Sequence, residues 1–197
     1  MNTIPPGYEK IDGHKYYNRP MQQAAYDDIR VMGTPGGPGS FLYGKPKKPA
    51  IVKLIWPIDK VYITQVFGAN PAFYKPLKGH DGIDLRTRFW DSPLARRYIV
   101  AAADGQVEVR NSGKEGYGLH IRIRHDDGSL TIYGHLSKVY VPGWTRVKQG
   151  DRIGLTGNTG KSTAPHFHFE LRPPNADPNN GYAGAIDPLP YLPPIPK

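Results

Sequence analysis

From Ile51 onward, apolar residues alternate with polar ones in short runs and do not recur every three or four positions. A period of two places alternate side chains on opposite faces of a strand. The runs at residues 51–56, 63–67, 82–86, 98–103, 106–110, 119–125, 130–135, 152–155 and 167–172 therefore predict strands. Asp104-Gly105 and Asp127-Gly128 lie between such runs and read as hairpin turns. Many short strands, glycine-rich turns and almost no helical periodicity predict a mainly β fold, an antiparallel sandwich or a barrel-like sheet.

The first 50 residues have a different texture. Pro5-Pro6-Gly7 and the run from Gly33 to Ser40 are breaker-rich, and only residues 21–32 carry a pattern that suits a short helix. Residues 45–49 read as extended. The organisation expected is an irregular N-terminal extension or linker over 1–50, one main domain over 51–192, and a proline-rich tail over 193–197. The whole stretch 187–197 reads as extended along the surface or frayed.

Composition narrows the chemistry. The absence of cysteine excludes disulfides and thiolate metal sites. No apolar run approaches the length of a transmembrane helix, so no membrane insertion is expected. The N-terminus lacks a basic start followed by an apolar stretch, so no secretory signal is expected. A net charge of +9 predicts attraction to polyanions. The basic residues are scattered, apart from Lys45-x-Lys47-Lys48 and Arg96-Arg97, and no nucleic-acid motif accompanies them, so no specific nucleic-acid binding is expected.

The densest chemical signal is Pro165-His166-Phe167-His168-Phe169-Glu170. As a strand it sets His166 and His168 side by side on one face, with Phe167 and Phe169 on the other, toward the core. Adjacent imidazoles are compatible when a metal keeps one of them neutral. Upstream, His80-Asp81-Gly82-Ile83-Asp84 offers an imidazole and a carboxylate spaced His-x-x-x-Asp. His80, Asp84 and one histidine of the later pair make the three nitrogen and oxygen ligands that catalytic zinc sites use beside an open position. Tyr133-Gly134-His135-Leu136 ends another strand-like run. Of the remaining histidines, His120 alternates with Arg122 and Arg124 on what reads as a polar face. His125 precedes a turn, and His14 lies in the irregular N-terminal region.

The order of these motifs resembles the LytM/lysostaphin-type zinc endopeptidases that cut peptidoglycan peptides. The resemblance runs from about Trp56 to Leu192. It rests on Phe67-Gly68, His80-x-Gly82-x-Asp84, Ala103-Asp104-Gly105-x-Val107, Gly116-Tyr117-Gly118, His125-Asp126-Asp127-Gly128, Tyr133-Gly134-His135-Leu136, Val147-x-x-Gly150-Asp151-x-Ile153-Gly154, Thr159-Gly160 and the final His166-x-His168 strand. The resemblance implies zinc held by His80, Asp84 and His168, with His135 and His166 as catalytic histidines beside it. Asn70, Phe167 and Ala164 depart from the residues usual in the family, and none is one of these five. The segment 87–97 is longer and more irregular than is typical. Glu170 shares a strand face with His168 and is read either as a support for that ligand or as a surface residue.

The expected partner is bacterial peptidoglycan, met at the cell wall by a monomer, with release of the phage-lysin type as one route there. A non-cutting scaffold of the same fold, a lipoyl-like carrier module suggested by Val147 to Gly154, and a nucleic-acid binder are the competing readings. The extension at 1–50 is expected to modulate access, with Asn18 as a candidate to reach the metal. The charge should govern adsorption: binding to intact walls should weaken as salt rises, because exposed charges are screened beyond about 8 Å at physiological ionic strength. Hydrolysis of a short neutral peptide should change far less over the same salt series. Equal sensitivity of the two would instead assign basic residues near the groove, such as Arg86 or Arg88, to holding the substrate.

Overall fold

The computed structural model describes residues 9–11, 15–17, 51–89 and 97–196. The chain divides into two compact units, Met1–Pro49 and Ala50–Lys197. In the first, β1 (Glu9–Ile11) pairs antiparallel with β2 (Lys15–Tyr17). The helix expected at 21–32, the extended run at 45–49, His14 and Asn18 lie outside the described residues.

The second unit is built from two antiparallel sheets, with no α-helix among the described residues. The larger sheet has seven strands. In spatial order they are β10 (Arg146–Val147), β6 (Gly105–Asn111), β7 (Leu119–Arg124), β8 (Leu130–Gly134), β12 (His166–Arg172), β4 (Ile83–Arg86) and β3 (Ile63–Gln65). The smaller sheet has three, β5 (Tyr98–Val100), β11 (Arg152–Thr156) and β9 (Leu136–Val139), with β11 in the middle. The alternation read from the sequence decides which face of the large sheet is dry. Leu85, Ile83, Phe167, Phe169, Leu171, Tyr133, Ile121, Ile123 and Val107 are buried, in one core with Ile99, Ile153 and Leu136 of the small sheet. Full burial of a side chain the size of Phe167 or Phe169 is worth about 1.5–3 kcal/mol.

Three local expectations change. Residues 51–56 form no strand. They run as an irregular segment tied down by Leu54 and Trp56 in the core, by the Val52 amide donating to Asp127 Oδ2 at 2.7 Å, and by the Ile55 amide donating to the Ala102 carbonyl at 2.9 Å. Asp104-Gly105 is a crossing between sheets and not a hairpin, since β5 belongs to the small sheet and β6 to the large one. Glycine is required there by proximity: a Cβ on Gly105 would lie 2.5 Å from the Arg124 carbonyl oxygen. The tail is not uniformly extended either. Leu189–Tyr191 forms a 3-10 turn, and the Trp56 indole donates to the Pro193 carbonyl at 3.0 Å. By contrast, Asp127-Gly128 does turn β7 into β8, with Gly128 at φ 84° and Asp127 Oδ1 accepting from the Ser129 amide at 2.9 Å.

Candidate metal and catalytic site

The site follows from register. In β12, His168 lies directly opposite Asp84 of β4 on one side and Gly134 of β8 on the other. Directly paired residues project to the same face of a sheet. His166, two positions earlier, therefore points the same way, while Phe167 enters the core. His135 follows Gly134 at the point where β8 leaves the large sheet and β9 enters the small one. It makes that turn at φ 60°, in the left-handed region, and its amide donates to the Tyr117 carbonyl at 2.8 Å. A non-glycine residue held there is costly by about 1–3 kcal/mol, a cost that clusters at functional positions. Gly134 keeps the row open, since a Cβ on it would come within 3.2 Å of His168 Cβ.

Three donor atoms converge. His80 Nε2 and His168 Nδ1 are 3.0 Å apart, His168 Nδ1 and Asp84 Oδ1 are 3.0 Å apart, and His80 Nε2 and Asp84 Oδ1 are 3.2 Å apart. Donor atoms bonded at 2.0–2.1 Å in a tetrahedral zinc site lie about 3.3 Å from one another. Tautomers agree with this use. His80 Nδ1 faces the Val66 carbonyl at 3.3 Å, so it carries the hydrogen and leaves the Nε2 lone pair for the cluster. The donor set thus fits a borderline-soft divalent ion of the zinc type.

Electrostatics point the same way. Burial opposes ionisation of Asp84, but hydrogen bonds and charge from His168 and His80 outweigh it and hold the carboxyl well below the usual range. Burial disfavours a charged His168, yet hydrogen bonding and charge from the neighbouring carboxylates, Asp84 foremost, push it up to about 10. Both shifts mean that the field at this point favours positive charge.

Asp81 also brings a carboxylate oxygen into a group with His80 and His168, all within 4.8 Å. It approaches the wrong nitrogen, however. Asp81 Oδ1 lies 3.8 Å from His168 Nε2, whereas both His80 and Asp84 face Nδ1. One imidazole cannot turn both nitrogens to one ion, so the compact set is His80, Asp84 and His168.

Two further imidazoles stand beside the cluster. The rings of His135 and His166 are 4.6 Å apart, and His135 is 5.9 Å from His168. His135 donates its Nδ1–H to the Thr159 carbonyl at 2.7 Å, which leaves the Nε2 lone pair available. Burial first, then the charges of His166 and His168, lowers its pKa to about 4, so it is neutral at pH 7. His166 donates from Nδ1 to the Ala164 carbonyl at 2.8 Å, and its Nε2 lies 3.5 Å from Asp84 Oδ1. All five residues expected from the sequence are thus brought together. His120 and His125 are not part of the group. Both are buried and bond backbone carbonyls, of Gly118 at 2.9 Å and of Asp104 at 2.7 Å. His120 is therefore a covered residue beneath Tyr117, with ring centroids 5.3 Å apart, and not part of a solvated polar face.

Three neighbours were not assigned to the site from the sequence. Tyr74 stacks obliquely on His80 at 5.0 Å, and burial, then Asp84, pushes its hydroxyl up to about 12, so it remains a donor. Tyr117 and Asp81 flank His168 on its far side. Their link to the site is made by the fold, since 36 residues separate them.

Gly82 sets the tolerance of the site. A Cβ there would lie 2.4 Å from the Phe169 carbonyl oxygen and 2.8 Å from His168 Cε1. Overpacking of this kind costs about 1–3 kcal/mol. Gly82→Ala should lower unfolding stability by that amount in denaturant titration and should also weaken metal retention, because the ring it strikes is a candidate ligand. Wild-type stability together with wild-type metal content would show that β4 and β12 can separate freely here.

The model of peptidase family M23 matches residues 78–182, more than half of the 197-residue chain. The chain belongs to this peptidase family. Among curated relatives it is 36% identical over 121 residues to the peptidoglycan DD-endopeptidase ShyB of Vibrio cholerae, covering 59% of this chain and 26% of that protein. It is 33% identical over 139 residues to the murein hydrolase activator NlpD of Escherichia coli, covering 70% of this chain and 31% of that one. The matched regions are thus about a third or less of these relatives' lengths. Among solved structures, the catalytic domain of the antimicrobial peptidase lysostaphin from Staphylococcus simulans superposes with a TM-score of 0.55 at 28% identity. The match covers 66% of this chain and 91% of that domain. No helix among the described residues is long and apolar enough to cross a membrane.

Proposed function

We propose that the chain is a zinc-dependent endopeptidase that hydrolyses peptide bonds in the cross-links or stem peptides of bacterial peptidoglycan. The observation that carries this reading is the convergence of His80 Nε2, Asp84 Oδ1 and His168 Nδ1, with an imidazole kept neutral at its rim. Zinc held by these three residues would supply Lewis-acid polarisation of the scissile carbonyl and a water acidified toward neutral pH.

The protein's own part is proton handling and order. His135, neutral and anchored through Nδ1–H to the Thr159 carbonyl, presents Nε2 to take a proton from the attacking water. His166, fixed by the Ala164 carbonyl and close to Asp84, is assigned the return of a proton to the leaving nitrogen. Positioned acid–base groups of this kind contribute about 10²–10⁴ in rate. Tyr74, protonated at neutral pH beside His80, offers a hydrogen bond to charge developing on the substrate. The site of action under this reading is the cell wall, and the net charge of +9 favours adsorption to it.

A second reading is supported by the activator NlpD, which aligns with 70% of this chain. On that reading the domain binds wall or partner and raises the rate of another hydrolase without cutting. The two separate in one assay. Protein stripped by a chelator and given one equivalent of zinc should release free amines from purified peptidoglycan with no other enzyme present. An activator would release none under those conditions and would act only when a second hydrolase is added.

A further inference from the structure

Behind the candidate metal ligands lies a buried polar chain that the chemistry above does not use. Glu170 is completely buried. Its Oε1 accepts from Arg172 Nε and its Oε2 contacts the Tyr117 hydroxyl. The same hydroxyl lies 2.9 Å from Asp81 Oδ2. A tyrosine hydroxyl has one hydrogen, so it donates to one of these carboxylates at a time while holding both close. The Tyr117 ring leans on the His168 ring at a centroid distance of 5.4 Å and an interplanar angle of 35°. His168 Nε2 is buried and has no hydrogen-bond partner among the described residues. Two carboxylate oxygens stand nearest, Asp81 Oδ1 at 3.8 Å and Glu170 Oε2 at 3.9 Å.

These two oxygens are not equivalent. Glu170 Oε1 is held by Arg172, and its Oε2 shares the single hydrogen of Tyr117 with Asp81 Oδ2. Among the described residues Asp81 Oδ1 accepts no hydrogen bond, and it lies nearer His168 Nε2 than Glu170 Oε2 does, at 3.8 Å against 3.9 Å. We infer that Asp81 is a positioning residue: its Oδ1 accepts the Nε2–H of His168, and the chain Arg172–Glu170–Tyr117 holds Asp81 in place. The ring is thereby kept with Nε2 protonated and Nδ1 turned toward His80 and Asp84. A buried Nε2–H left without an acceptor is costly, which gives the ring reason to close the gap to Asp81. Partners on the second nitrogen of a ligating histidine fix its tautomer and ring direction, and their loss weakens metal binding by about 10–100-fold.

The inference rests on His168 acting as a metal ligand, and the test separates the two. Zinc affinity of the full chain is measured by chelator competition for the wild type and for Asp81→Ala, Asp81→Asn, Tyr117→Phe, Asp84→Ala and His168→Ala. Asp81→Ala should bind one zinc about 10–100-fold more weakly. Asp81→Asn, which keeps an accepting oxygen, should lose less. Tyr117→Phe, which preserves volume and the ring contact, should weaken binding in the same direction, and it carries the test if Asp81→Ala fails to fold. Cobalt-substituted Asp81→Ala should show an altered ligand-field spectrum at unchanged stoichiometry. Wild-type zinc affinity in either Asp81→Ala or Tyr117→Phe overturns the positioning role. A loss in Asp81→Ala as complete as in Asp84→Ala overturns it in another way, by making Asp81 a ligand. If His168→Ala binds zinc like the wild type, the metal assignment itself is wrong.

Discussion

Replacing any one of His80, Asp84 or His168 by alanine should abolish stoichiometric zinc and, with it, all measurable hydrolysis. The three donor atoms lie within 3.0–3.2 Å of one another, so each variant removes one corner of a compact set. The Asp84 variant should be the most damaging. Its carboxylate is nearly covered and is the only anion in the set, so its removal leaves two adjacent imidazoles to repel each other when protonated. Elemental analysis of each purified variant, set beside circular dichroism to confirm the fold, makes the comparison. A folded His168→Ala protein carrying one tightly held zinc would refute the ligand assignment.

His135→Ala should behave differently. Its side chain lies beside the donor set and its Nδ1 is spent on a backbone carbonyl, so zinc content should stay at one per chain. Turnover should fall by about 10²–10⁴, the range of a positioned acid–base group. His166→Ala should follow the same pattern. The pH profile gives a second handle. His135 has its pKa depressed to about 4 in the fold, below the ordinary value of 6.5. It is thus the neutral, proton-accepting form that persists as pH falls through 6.5, and kcat/KM should not drop with an ordinary histidine pKa. The loss attributable to His135 should come only as pH approaches about 4. The sign for stability is the same. In the window between about 4 and 6.5 the unfolded chain takes up this proton and the folded chain does not, so the His135 contribution to stability declines as pH falls. A profile with full activity in the His135→Ala protein would take this residue out of the reaction.

The candidate ligands were legible in the sequence because their chemistry is carried by residue type and by a period-two strand. His166 and His168 had to share a face, and Phe167 and Phe169 had to take the other, whichever strands lay beside them. What the pattern could not carry was register. That His168 sits opposite Asp84 and Gly134 depends on pairings 84 and 34 residues away along the chain. Asp81 and Tyr117 stand inside motifs read from the sequence, but their place beside His168 was illegible for the same reason, because it exists only once β7, β8 and β12 lie side by side. His120 misled in the opposite direction. Its alternation with Arg122 and Arg124 is that of a solvated face, and the ring of Tyr117 covers it. The Asp104-Gly105 pair shows how one local signal serves two geometries. Aspartate-glycine marks a turn, but Asp104 here accepts from the Gln149 amide at 2.8 Å and pins the crossing between the sheets. Residues 51–56 read as a strand by composition, yet their backbone bonds go to Asp127 and Ala102 singly and never form a ladder.

The central claim is that this site cuts peptide bonds in peptidoglycan. Mass analysis of purified peptidoglycan after incubation with the zinc-loaded protein alone tests it most directly. The account predicts fragments gaining one water at a peptide bond, with a new free amine and a new free carboxylate. These should be lost when a chelator removes the metal, restored by zinc, and absent with Asp84→Ala. Peptidoglycan whose peptides remain intact in the presence of folded, zinc-loaded protein would contradict it.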